Sequence, residues 1–328
     1  MYRKTGLFIV LTLVVLSLVG CSGTDQTADQ ELPKEINASY VSLPLNVPSI
    51  VAKHQQMFEQ AFAKDGIDFK YHNLVAGPEQ TEALASGSLD FASVLGGTSA
   101  LLARAQGVDL KVIANYSMAP QGFGLIVPQD SSIQNLADLK GKKVATAKGT
   151  IAHQLLVAVL DKTGLSDKDV DFLHMSLPDA STAVQSGHLD GAVVGEPLLS
   201  KAIASGSARL LTDGQGLINA QIVVAVRTDF ANKYPQLVRR YLIAQQAAVD
   251  YVKEYEEQVL IMTAEENNMD IEDVKAIFPK YDFSLDLDDE AIEEMKKTTE
   301  FLKETGLMKA DVDTKELILG MVDTSFLP

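Results

Sequence analysis

Two turns carry the chemistry this sequence can offer. Leu95-Gly96-Gly97-Thr98-Ser99 and Lys148-Gly149-Thr150-Ile151-Ala152-His153 each follow an apolar strand-like run and open a helical period. Glycine lets a ligand approach the backbone closely. The first turn of a helix offers free N–H groups and the positive end of its dipole, which suits an anion. Gly97, Thr98 and Ser99 on one side, and Thr150, Ile151, Ala152 and His153 on the other, are the candidate binding residues. Asn46, in the loop Pro44–Ser49, joins them. So does Glu196, which precedes Pro197 and either complements its own helix dipole or meets a cationic group across a cleft. Taken singly, each turn also reads as an ordinary helix start. The similar turns in equivalent positions are what point to a clamp. A helix end contributes about 0.3–1 kcal/mol to an anion, and a hydrogen bond to a charged group about 1.5–3 kcal/mol. Micromolar binding needs about 8 kcal/mol, so two helix ends and several donors reach it without a buried arginine.

Other chemistries find little support. The histidines His54, His72, His153, His174 and His188 are scattered and lack the two-His helical spacing of a zinc protease. There is no Gly-x-Ser-x-Gly elbow and no phosphate-binding loop, and Gly122-Phe123-Gly124 lacks the rest of a dinucleotide fingerprint. We expect no metal, no cofactor and no catalytic residue. The net charge of −16 argues against nucleic-acid binding, which needs clustered Lys and Arg. Acidic runs such as Glu254–Glu257 and Asp286–Glu294 read as solvated helix faces.

The turns must be held by something, and the flanking patterns say what. Ala38–Leu43, Phe69–Val75, Asp90–Val94, Lys111–Tyr116, Phe123–Val127, Lys143–Thr146, Asp171–Met175, Gly191–Val194 and Ile222–Val226 read as strands. Most are separated by helical periods such as Glu79–Ala85, Thr98–Ala105 and Leu198–Ala204. This alternation predicts parallel α/β sheets covered on both faces. The second half repeats the first. Ser86-Gly87-Ser88-Leu89-Asp90-Phe91-Ala92-Ser93-Val94 matches Ser186-Gly187-His188-Leu189-Asp190-Gly191-Ala192-Val193-Val194. Two similar lobes facing each other follow, with ligand binding beyond the carboxyl ends of their strands. We place lobe 1 at residues 35–125 plus 223–328, with a helical C-terminal extension, and lobe 2 at 126–222. Crossings fall near Gly124–Val127 and Gln221–Val226. In the last third, a helical stripe from Phe230 to Val252 precedes helices at Asp270–Ile277, Asp289–Leu302 and Lys315–Met321.

The start of the chain suggests a location. Arg3 and Lys4 precede an apolar run, Leu7–Val19, of about a dozen residues, which is short for a membrane span. Leu18-Val19-Gly20-Cys21 closes it and resembles the lipobox of bacterial lipoproteins. That resemblance implies a signal peptide at 1–20, cleavage before Cys21 and a lipid on its sulfur. Residues 21–34 read as a flexible leash. Cys21 is the only cysteine, so no disulfide framework is available.

SGSLDFASVLGGTSALLA (86–103), LADLKGKKVATAKGTIAHQLL (136–156) and LPDASTAVQSGHLDGAVVGEPLLSKA (177–202) resemble the substrate-binding lipoproteins of ABC importers for taurine, aliphatic sulfonates and nitrate-like compounds. The resemblance runs from about Ala38 to Phe230 and is looser in the tail. It implies the type II periplasmic-binding-protein fold with a two-strand hinge. It also implies a small organic anion, such as a sulfonate, held at the helix starts Gly97–Ser99 and Thr150–His153. The implied partners are an ABC permease and its ATPase, with the chain a monomer anchored at the extracytoplasmic membrane face. Relatives often carry an aromatic residue, commonly Trp, before the Glu/Asp-Pro pair. Here Gly195 stands there and the chain has no Trp, which removes one wall of the expected pocket. Binders of thiamine-precursor pyrimidines or aromatic acids, a receptor that signals without transport, and an enzyme on the same fold remain alternatives.

Overall fold

The computed structural model describes residues 31–41, 43, 44 and 46–328. The expected signal, Cys21 and the leash as far as residue 30 lie outside them. Among the described residues, no helix is long and apolar enough to cross a membrane.

The first part of the chain builds β1 (Glu35–Tyr40), α1 (Val47–His54), α2 (Met57–Ala63), β2 (Asp68–Asn73), α3 (Gly77–Ser86), β3 (Phe91–Gly96), α4 (Gly97–Ala105) and β4 (Leu110–Met118). The middle builds β5 (Phe123–Pro128), β6 (Lys143–Thr146), α5 (Ile151–Asp161), β7 (Asp171–His174), α6 (Leu177–Gln185), β8 (Gly191–Gly195), α7 (Leu198–Ala204) and β9 (Ala208–Asp213). Then come β10 (Gln221–Arg227), α8 (Thr228–Lys233), α9 (Pro235–Glu254), α10 (Glu256–Asn267), α11 (Ile271–Ile277), β11 (Asp282–Phe283), α12 (Asp289–Glu304) and α13 (Thr314–Met321). One sheet has the order β11-β4-β10-β3-β1-β2 and the other β7-β6-β8-β5-β9. Each belongs to one lobe.

The sheets are mixed rather than parallel. β1, β2 and β3 run together, as do β6, β7 and β8, but β10 runs against β3 and β4, and β5 against β8 and β9. The reason lies in the crossings. A strand that enters a lobe from the cleft side must run away from the cleft, opposite to strands that end there. The division expected at 125/126 and 222/223 would fall inside a strand at each crossing. β5 lies wholly in the second sheet and β10 wholly in the first, so the chain crosses at 119–122 and again at 214–220. The two crossings are bonded to each other. Ala119 N–H donates to the Asn219 carbonyl (3.0 Å) and Gly214 N–H to the Pro120 carbonyl (3.1 Å).

Packing follows the periodicities. α9 buries Leu237, Val238, Tyr241, Leu242, Ala248, Val249 and Val252 along one face. Tyr241 stacks on Phe91 at 4.1 Å and on Phe58 at 4.6 Å, and its hydroxyl donates to Ser93 Oγ (2.8 Å). Aromatic pairs of this kind add about 0.5–1.5 kcal/mol each beyond area burial. The helical stripe from Phe230 is broken at Tyr234. Pro235 occupies the first turn of α9, and a residue before proline is pushed out of the helical region. Between α1 and α2 the helical path is interrupted at Gln56, which takes φ 53°. The strand β9, the helix α10 and the two-residue β11 were not legible as separate elements.

Candidate functional site

The repeat noticed in the sequence is an atomic repeat. In both copies a helix ends at a glycine with positive φ, 76° at Gly87 and 70° at Gly187. In both, the leucine that follows bonds back to the helix: Leu89 to the Ala83 carbonyl (3.1 Å) and Leu189 to the Ala183 carbonyl (3.3 Å). In both, the aspartate reaches the neighbouring strand. Asp90 accepts from Asn37 N–H (2.9 Å) at β1, and Asp190 from Lys143 N–H (2.8 Å) at β6. Each unit then delivers its central strand to the cleft, β3 ending at Gly96 and β8 at Gly195.

The two candidate turns face each other. A Cβ built on Gly96 would stand 3.4 Å from Ile151 Cδ1 and 3.7 Å from Thr98 Oγ1. One built on Gly149 would stand 3.5 Å from Leu102 Cδ2 of α4. Neither α4 nor α5 has a side-chain cap, so neither helix start spends its first-turn amides on a side chain of its own cap residue. Gly97 and Ala152 carry no polar side chain.

The side chains at these turns divide into used and unused. Thr150 Oγ1 donates to the Ala147 carbonyl (2.7 Å), which closes its own turn. Ser99 lies against α3, where its Oγ would meet a Cβ on Gly77 at 2.3 Å, so its hydroxyl is packed against that helix. His153 is 2 % exposed and stacks on Phe172 (4.9 Å), with Phe301 edge-on (5.2 Å). Its Nδ1 accepts the Gly149 N–H at 3.3 Å. Burial, reinforced by nearby Lys148, pushes its imidazole down to about 4, so it is a neutral brace for the turn. Thr98 differs: its hydroxyl is buried and without a partner. Asn46 is fully buried at the start of α1. Its Nδ2 donates to the Val41 carbonyl while its Oδ1 is unpaired.

Glu196 is already taken. Its carboxylate accepts from Ser200 N–H (3.1 Å) and Ser200 Oγ (2.8 Å), and it forms an ion pair with Lys280. Lys280 lies between α11 and β11, in the tail that returns to lobe 1. The cation meeting Glu196 therefore comes from the protein, and the pair ties the lobes together. A second tie runs through α12, where Gln154 Nε2 of lobe 2 donates to Glu294 Oε1 and Thr298 Oγ1, both at 3.1 Å. Burial raises the Glu294 carboxyl despite bonds from Asn219 N–H and Gln154. Gly195 leaves room for an aromatic ring, but from a neighbour. A Cβ there would stand 3.0 Å from the ring of Phe123.

Sequence reasoning missed Lys280, Gln154, Glu294 and Gln221. Gln221 left one faint signal, a polar residue ahead of the apolar run Ile222–Val226. Among the described residues no cluster of metal-ligating side chains occurs. A hollow of about 540 Å³ between α2 and α9, lined by Met57, Arg240 and Ile243 among others, lies away from the cleft. We take the cleft as the site because the facing helix starts and the orphaned Thr98 hydroxyl lie there.

Two lobes of mixed α/β structure, joined by a pair of crossing segments and shut on facing helix starts, define the class: this is the fold of the type II periplasmic binding proteins. The NMT1/THI5-like family matches residues 47–259, and the chain belongs to that family. It is 30% identical over 326 residues to a putative aliphatic sulfonates-binding protein of Bacillus subtilis (strain 168), spanning 99% of this chain and 96% of that relative. A putative aliphatic sulfonates-binding protein of Escherichia coli (strain K12) is 28% identical over 255 residues, 78% of each chain. Among solved structures, the alkanesulfonate-binding protein SsuA from Xanthomonas axonopodis pv. citri, bound to MOPS, matches with a TM-score of 0.79. It is 26% identical, and the match covers 89% of this chain and 98% of that one.

Proposed function

We propose that this chain is the extracytoplasmic solute-binding component of an ABC importer, and that it closes its lobes on a small organic sulfonate. The acid group sits between the first turns of α4 and α5, held by backbone N–H groups and the Thr98 hydroxyl. The observation that carries this reading is the pair of facing, uncapped helix starts with an orphaned buried hydroxyl between them. The names of the relatives supply the solute class. No reacting pair is required, because binding and closure are the function. Closure is favoured only as far as the ligand binds the shut state better than the open one. The closed form then docks on a permease driven by a cytoplasmic ATPase.

Thr98→Val tests the site. The substitution is nearly isosteric and removes a hydroxyl that has no protein partner. Stability without ligand should be unchanged or slightly higher, while sulfonate affinity falls about tenfold or more. Calorimetry showing equal affinity in both proteins would reject the placement.

The tether is proposed on the lipobox resemblance. Cys21→Ala should move the protein from the membrane fraction to the soluble one, and a variant that stays membrane-bound would refute lipid attachment at that sulfur.

A further inference from the structure

The proposed anion seat is lined with N–H donors, yet oxygen acceptors with nothing to accept stand beside it. Gln221 heads β10, is 3 % exposed, and its Oε1 has no partner. That oxygen lies 3.5 Å from where a Cβ on Gly97 would stand, at the start of α4. A chain of contacts settles which end of the amide is oxygen. Asn115 Nδ2 donates to the Ser284 carbonyl (3.2 Å), so Asn115 turns its Oδ1 toward Gln221, whose Nε2 donates to it (3.3 Å). A flipped Gln221 would set two oxygens against each other. Asn46 repeats the arrangement. Its Nδ2 is spent on the Val41 carbonyl, and its buried Oδ1 is left unpaired. In the sheet order β10-β3-β1, the strand that Gln221 heads and the strand whose carboxyl end leads to Asn46 flank β3, whose end is the Gly96–Gly97–Thr98 turn.

Buried acceptors are normally satisfied, and leaving one unpaired is costly. An alkyl chain seated there cannot satisfy them, whereas a molecule carrying its own N–H or O–H can. Glu196 does not compete for that donor, because Lys280 and Ser200 already hold it. We propose that the ligand is a sulfonate bearing an amine or hydroxyl donor a few bonds from the acid group, and that Gln221 and Asn46 select for it. This rests on the sulfonate reading above.

The test uses the full chain in detergent and three probes of similar size: 2-aminoethanesulfonate, 2-hydroxyethanesulfonate and propane-1-sulfonate. Calorimetry should show the first two binding about tenfold tighter than the third. Gln221→Met should shrink that gap to about twofold by weakening the donor-bearing probes alone. Gln221→Glu gives a second handle if the Met variant folds poorly: it should shift preference toward the ammonium probe over the hydroxyl one. Equal wild-type affinity for propane-1-sulfonate would overturn the donor requirement while leaving sulfonate binding intact. A gap that survives in Gln221→Met, or no shift in Gln221→Glu, would overturn the role of Gln221. Failure of all three probes to bind would instead overturn the sulfonate reading itself.

Discussion

The α3–β3 unit of lobe 1 and the α6–β8 unit of lobe 2 share a glycine stop, a buried leucine and an aspartate that accepts a backbone amide of the neighbouring strand. They differ in what surrounds that aspartate. Asp90 is 6 % exposed and also pairs with Arg227 of β10 (2.9 Å), which in turn holds Asp229. Asp190 is half-buried and, among the described residues, has no ion pair. The repeated residues thus do a local job in both lobes, setting the strand pairing. The returning strand adds a charge partner in lobe 1 alone. Even with that partner, burial holds the Asp90 carboxyl above its ordinary range. Taking a carboxylate out of water costs more here than Arg227 and Asn37 return.

The largest effect expected from this contrast is at Asp90. Asp90→Ala takes one acceptor from a half-buried amide and from a half-buried guanidinium and should cost about 3 kcal/mol in urea unfolding. Asp90→Asn, which keeps the shape, should cost clearly less. Equal losses for the two variants would show that the ion pair rather than the amide bond matters.

Next comes a difference between the two turns. Position three of the first turn is Ser99 in α4 and His153 in α5, and only the latter titrates. The unfolded chain protonates this histidine near 6.5, but the folded one only at about 4. Between those values the unfolded state binds more protons, so stability falls as pH drops, by about 3 kcal/mol over the whole window. His153→Gln should flatten that part of the curve. Parallel slopes for wild type and variant between about pH 6.5 and 4 would contradict the buried neutral histidine.

The smallest effect belongs to Asp190→Ala, which loses one amide bond near the surface and should cost about 1 kcal/mol. A loss as large as that at Asp90 would mean that the two units are energetically alike despite their surroundings.

Much of the site's framework was legible because its causes are local. β6 at Lys143–Thr146 and α7 at Leu198–Ala204 match their sequence readings residue for residue. Apolar period and flanking glycines act over a few residues. β9 was not legible: it is only partly buried, and Ala-Arg-Leu-Leu-Thr-Asp lacks clean alternation. β11 owes its existence to the edge it pairs with, at Met118 and Ser117 of β4.

What the sequence determined by itself was the repeated unit, the elements on either side of each turn, and the presence of two helix starts with free amides. Which side chains stay available was decided only in three dimensions. Thr150 and Thr98 look interchangeable in the sequence, yet one hydroxyl is consumed by Ala147 and the other is left bare. Glu196 found its cation 84 residues away in Lys280, and Gln221 was oriented through Asn115 by a carbonyl on Ser284. Such polar pairings depend on distance and direction between distant segments. The short-range preferences that shape helices and strands carry no record of them.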